Sequence, residues 1–294
     1  MQVTFWGTRG SIATPGAGTM KYGGNTACVE LRCGPDIFIF DSGTGIRPLG
    51  LVLMKEFADR PLVIHLFISH THWDHIQGFP FFTPAYEPTT TIHIYGSTGQ
   101  GRPLERVLRG QMDADYFPVA LGDMTSTLHM HEFKGKPFQI GEATITPAYL
   151  NHPGMTLGYR VAHGGKSFVY ASDNEPYRET LPHLGHRAEA GKDFGRRLDA
   201  EFVQFLEGAD LYIGEAQYTD EEYPGRIGWG HSSISATVES ALAAKARALA
   251  FFHHDPNHDD AAVARMEDDA NRLILSRGSS LHCFAAREGQ VIEI

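Results

Sequence analysis

The sequence predicts an α+β fold, an αββα arrangement in which two mixed β-sheets pack together with helices outside. Three observations carry this. Short β-branched and aromatic runs fill the first half, helix and strand patterns alternate from about residue 199, and no Pro/Gly-rich linker divides the 294 residues, so one domain over 1–294 is expected. With 42% hydrophobic and 20% charged residues, a chain this long buries enough apolar surface to need no metal or disulfide merely to stay folded. Any metal site is therefore read as functional.

Taken in order, Val3–Trp6, Thr26–Arg32 and Ile37–Phe40 read as strands, and Ile46–Phe57 as a helix between Gly45 and Pro61. Leu62–Ser69 is too apolar for a half-wet strand and is expected to be central. Thr91–Tyr95 returns to strand. Ser126–Phe133, Phe138–Tyr149, Thr156–Ala162 and Ser167–Ala171 read as a meander. Residues 185–198, polar and Gly-containing, suggest a mobile surface loop. Helices follow at Ala200–Leu206, Ser232–Lys245 and Asp259–Ser276, with strands at Asp210–Gly214 and Ala248–Phe252 and two more at the end.

Charge excludes some functions. A formal net charge of −10 argues against stable nucleic-acid binding, which needs clustered Lys and Arg. No run approaches the ~18 apolar residues of a membrane span. The opening MQVTFWGTRG lacks a secretory pattern, and Cys28, Cys33 and Cys283 form no C-x-x-C pair, so a cytoplasmic protein with reduced thiols is expected.

Chemistry concentrates in Ser69–Gly78, SHTHWDHIQG, which follows the most apolar strand. On an extended backbone His70 and His72 share a face, and a turn into helix swings Asp74 and His75 toward a nearby point. Imidazole and carboxylate suit zinc and other divalent transition ions. Three later positions offer the same donors at strand ends: His152 in LNHPG, Asp173 in YASDN, and His253 or His254 after LAFF.

SHTHWDH resembles the H-x-H-x-D-H motif of the metallo-β-lactamase-fold hydrolases. The similarity runs through FWGTRGS, YGGNTACVEL, FDSGTGIRPLG, LNHPGMTLGYR, YASDNE, GHSS and FFHHDP. It is greatest to the phosphodiesterase branch, with its tRNA 3′-processing nucleases, PhnP-type and class II cyclic-nucleotide phosphodiesterases. The resemblance implies that His70, His72 and His152 hold a first metal, that Asp74, His75 and His253 hold a second, and that Asp173 bridges them, with His254 the alternative to His253. It implies that Asp41 orients a ligand histidine, and that Asp74 and His231 act in catalysis, His231 protonating the leaving oxygen. Ser232 and Ser233 are expected to cap the next helix; Glu215 and Tyr218 are candidate lining residues, and His258 and Asp259 belong to the start of the last helix.

Two divalent ions are implied, with affinity order favouring zinc over manganese and iron. The expected activity is hydrolysis of a small nucleotide or cyclic phosphodiester by a metal-bridging hydroxide, in a homodimer by analogy. The alternatives are a tRNA 3′-processing endoribonuclease or a thioester or lactone hydrolase. Residues 96–123, where an RNA-gripping arm would lie, set Arg102, Arg106 and Arg109 against Glu105, Asp113, Asp115 and Asp123, which favours the small substrate.

Overall fold

The computed structural model describes residues 1–97, 102–133, 135–183 and 188–294, the side chains of 188–190 excepted. The chain divides into two compact units, residues 1–136 with 287–293, and residues 137–286 with 294.

The first unit contains β1 (Gln2–Gly7), β2 (Cys28–Cys33), β3 (Asp36–Phe40), α1 (Ile46–Glu56), β4 (Leu62–Phe67), α2 (Trp73–Ile76), β5 (Thr90–Gly96), α3 (Leu104–Gln111), β6 (Thr127–Glu132) and β14 (Val291–Glu293). Its sheet runs β14-β1-β2-β3-β4-β5-β6. The pairs from β14 to β3 are antiparallel and those from β3 to β6 parallel. Alternation sends Ile64, Leu66, Ile92 and Ile94 into a core with Ile46, Leu49 and Leu53 of α1 and with Phe79 and Phe82.

The second unit contains β7 (Phe138–Ile140), β8 (Ala143–Leu150), β9 (Thr156–His163), β10 (Lys166–Ala171), α4 (Tyr177–His183), α5 (Ala188–Leu206), β11 (Leu211–Glu215), α6 (Ile234–Ala243), β12 (Ala248–Phe252), α7 (Asp260–Ser276) and β13 (His282–Ala285). Its sheet, β13-β12-β11-β10-β9-β8-β7, repeats the same scheme: parallel from β13 to β10, antiparallel from β10 to β7. Two seven-stranded mixed sheets with helices are the predicted α+β class. The candidate ligands after β4, β10 and β12 follow the carboxyl ends of strands with a parallel neighbour, where ligand sites of open α/β sheets gather, whereas His152 follows the antiparallel β8.

Three expectations are corrected. Thr127–Glu132 is no part of the meander; it pairs parallel to β5 in the first sheet. The run Phe138–Tyr149 is broken by a turn at Gly141, whose φ of 54° ends β7 before β8 begins. The loop expected over 185–198 is helical from Ala188 onward, its first three residues lying outside the described ones. Gly195 is a packing residue: a Cβ there would lie 2.6 Å from the backbone of Arg178 in α4, so glycine admits the close approach of α5. Helix α3, with its Glu105–Arg109 ion pair at 2.8 Å, has no counterpart among the helices expected from the sequence.

The face of the first sheet opposite its helices carries two rows of flat rings. Register aligns Phe38, His65, His93 and His129 in one row, and Phe40, Phe67, Tyr95 and His131 in the other. Burial, then the neighbouring His93 and His131, push the His65 imidazole down to about 4; His93 and His131 are also lowered, burial again leading. Between those values and the ordinary ~6.5 the unfolded chain binds protons that the folded chain refuses, so stability falls as pH drops through that window. His65→Phe, which keeps a flat ring beside Phe38, His93, Tyr95 and Phe67, is expected to shrink the fall in Tm between pH 6.5 and 4.5. Identical pH profiles of Tm for the two proteins would refute this.

Candidate metal centre

In the first unit, β4 ends beside Ser69 and the chain enters α2 through His70, His72, Asp74 and His75. The ring atoms His70 Nε2 and His72 Nδ1 lie 2.9 Å apart, and His75 Nε2 lies 3.3 Å from Asp74 Oδ2. Two donors at about 2.0–2.1 Å from a tetrahedral ion are about 3.3 Å apart, so both pairs have the spacing of ligand edges. Asp41, at the end of β3, fixes the orientation. Its Oδ2 accepts from His75 Nδ1 at 2.7 Å and from Ser69 Oγ at 2.7 Å, while Oδ1 accepts from Ser69 N at 2.7 Å. That leaves His75 Nε2 outward, as a ligand requires. Asp41 itself has φ 61°, a left-handed conformation that Asp tolerates better than most residues. The Gly-rich turn after β1 reaches the same place: Ser11 N donates to Asp74 Oδ2 at 2.7 Å.

In the second unit, Asp173 follows β10 and is 1% exposed. Its Oδ2 lies 3.4 Å from His253 Nε2, 3.8 Å from His152 Nε2 and 4.0 Å from His231 Nδ1. The ligand atoms of His152, Asp173 and His231 all lie within 4.8 Å of one another, as do those of Glu215, His231 and His253. Each ring is steered from behind. His152 Nδ1 donates to Gly230 O at 2.8 Å, and His253 Nδ1 pairs with Gln217 Oε1 at 2.9 Å. His253 has φ 59°, a strained backbone of the kind that gathers at functional sites. His254 instead turns its Nε2 to Ala286 O at 2.8 Å, which distinguishes the two histidines left open by the sequence.

Residues not assigned from sequence complete this half. Glu215 ends β11, is fully buried, and accepts from Ser232 N at 2.8 Å and from Asn174 N and Gln217 N at 3.2 Å. Burial first, then the charge of Asp173, holds its carboxyl well above the usual carboxylate range. Its Oε1 lies 3.4 Å from His231 Nδ1. Glu175, also fully buried, accepts from Tyr223 Oη at 3.0 Å, Gly228 N at 2.8 Å and Gly230 N at 2.7 Å. It thus fixes the loop whose Gly230 carbonyl holds His152 and whose next residue is His231. Gly230 has no substitute: a Cβ there would lie 2.3 Å from His152 Nδ1. The EAQY motif hints at Glu215; nothing marks Glu175, whose role depends on a loop some fifty residues away in sequence.

Of the two serines expected to cap α6, Ser233 does so and Ser232 Oγ instead donates to Asn174 O. Ser233 caps α6 through Ala236 N, and Asp259 caps α7 through Ala262 N at 2.8 Å. His258 pairs with Glu222 at 3.0 Å, and Tyr218 meets the His231 ring edge-on at 6.0 Å.

Sheet topology and the His/Asp clusters define a metallo-hydrolase, and the comparisons give its family. Residues 38–254 match the beta-lactamase superfamily domain, and the chain belongs to that superfamily. It is a metal-dependent hydrolase of the metallo-β-lactamase fold, which implies divalent metal ions. Ribonuclease Z of Pyrococcus furiosus is 26% identical over 91% of each chain. Human tRNase Z, short form, superposes with a TM-score of 0.65 at 20% identity, covering all of this chain and 99% of that one. Unliganded yeast PDE1 gives 0.67 at 14% identity, covering 100% and 99%. No helix among the described residues is long and apolar enough to cross a membrane.

Proposed function

We propose that the protein hydrolyses a phosphodiester bond at the 3′ end of an RNA of the tRNA class. His70, His72 and His152 would hold one divalent ion, Asp74, His75 and His253 a second, and Asp173 both. The observation that carries this reading is the similarity to a ribonuclease Z over nine-tenths of both chains. The division of ligands rests on the family's ligand order and on the donor atoms each unit presents. Bound there, the ions supply Lewis acidity toward phosphoryl oxygen and water.

The chain's own residues do the rest. Asp41, Gln217 and the Gly230 carbonyl hold ligand rings in one tautomer. His231 gives a proton to the departing ribose oxygen, ordinary work for imidazole near neutral pH. Trp73, 78% exposed between His72 and Asp74, offers a face on which a base can stack, and Trp229, 56% exposed two residues before His231, carries Arg226 over its ring at 4.8 Å.

A second reading, a small or cyclic phosphodiester, is favoured by charge. The segment 102–123 has fewer arginines than carboxylates, and Arg109 is already paired with Glu105. RNA phosphates are gripped by unpaired cations. The experiment is a direct competition: the zinc- or manganese-loaded protein is given a precursor tRNA with a 3′ trailer, cyclic AMP and bis-p-nitrophenyl phosphate. Specific release of the trailer supports the first reading; turnover of cyclic AMP with an intact precursor replaces it with the second.

Two outcomes follow from the supporting contacts. Asp41→Asn places an amide donor against His75 Nδ1–H and is expected to weaken metal retention about 10–100-fold, read by chelator competition. Glu175→Gln points an amide N–H at a backbone N–H of Gly228 or Gly230 and is expected to lower kcat about 10–100-fold. Metal content should stay near wild type in that variant; an unchanged kcat would show that the loop holds without the carboxylate.

A further inference from the structure

The sheet of the first unit carries a histidine cluster that the proposed reaction does not use. On β5 and β6, His93 and His129 are register partners, and His131 lies two residues further on the same face. His93 Nδ1 and His131 Nε2 are 3.0 Å apart. The ring of His129 stacks on that of His93 at 4.9 Å, and Tyr95 stacks on His131 at 4.6 Å. His65 stacks on the other side of His93 at 5.1 Å and turns its Nδ1 to Tyr95 Oη at 3.2 Å.

We infer that His93 and His131, with His129 beside them, form an additional binding site for a borderline divalent transition ion such as Zn²⁺, Ni²⁺ or Cu²⁺. The nitrogen pair is close to the ~3.3 Å edge of two tetrahedral ligands. An all-imidazole donor set suits these ions and not Mg²⁺ or Ca²⁺, which take oxygen. Rings stacked on both sides of His93, Tyr95 stacked on His131 and the parallel ladder beneath hold both imidazoles before any ion arrives, so little side-chain entropy is lost on binding.

Neutral imidazole keeps one proton, so ligation through both facing nitrogens needs the protons on His93 Nε2 and His131 Nδ1. The ring that donates in the apo pair moves its proton to its far nitrogen, and no proton is released. His131 is exposed on the edge strand, which leaves room for water in the remaining coordination positions.

The test titrates the metal-saturated protein with Ni²⁺ by calorimetry, beside His131→Gln and His129→Gln. One further equivalent is expected in the wild type. Binding should be at least about tenfold weaker in His131→Gln and less affected in His129→Gln, with bis-p-nitrophenyl phosphate turnover equal in all three. Titration of Cu²⁺ followed by electron paramagnetic resonance should show nitrogen coupling that His131→Gln reduces. No further equivalent, or equal binding in His131→Gln, overturns the inference. Because binding is read rather than hydrolysis, the result stands apart from the fate of the proposed RNA reaction.

Discussion

Asp173→Ala is expected to strip the protein of metal and to lower phosphodiester hydrolysis by at least about 10³-fold, beyond the 10²–10³ that one electrostatic contact commonly supplies. The reason is its placement. One carboxylate oxygen lies 3.4 to 4.0 Å from nitrogens of His253, His152 and His231, in a setting where Asp173 is 1% exposed. Alanine leaves three imidazoles converging on a position with no anion, and two cations there would repel without an intervening charge. Elemental analysis after dialysis, with turnover of bis-p-nitrophenyl phosphate, reads both effects. Asp173→Asn separates charge from shape: it keeps the volume and one carbonyl oxygen, and should also lose metal. Full metal content with full activity in either variant would remove Asp173 from the proposed centre.

Much of this was legible in the sequence because each feature was local. Leu62–Phe67 announces a central strand by its apolar run, and backbone periodicity places His70 and His72 after it on one face, while the division of ligands is what the resemblance implies. What escaped depended on distant partners. Gly195 looks like a loop residue until α4 lies against it, and it is then a contact a Cβ would forbid. Thr127–Glu132 has the same alternation as its neighbours in sequence, and only pairing to β5 places it in the first sheet. Glu175 carries no local signature and Glu215 only the hint of EAQY: their meaning lies in backbone N–H groups of residues 228, 230 and 232. The contact of His254 Nε2 with Ala286 O, which sets it apart from His253, likewise lies beyond local reach.

His231→Ala is expected to lower kcat on an RNA or cyclic-nucleotide substrate by about 10²–10⁴-fold while leaving the metal content intact. The size should depend on the leaving group. A ribose alkoxide departs poorly unless protonated, whereas p-nitrophenolate departs readily as the anion, so a variant lacking the proton donor should lose little on bis-p-nitrophenyl phosphate. This contrast decides between two roles that the geometry allows, because His231 also lies within ligand distance of Asp173 and His152. A ligand's removal would depress both substrates together and release metal. A proton donor's removal spares the activated ester, and the alkaline limb of the pH–rate profile on the natural leaving group should disappear with it. The ring stacks on His253 at 5.1 Å, and its Nδ1 lies 3.4 Å from Glu215 Oε1. Equal losses on the two substrates, accompanied by metal release, would reassign His231 from proton donor to ligand.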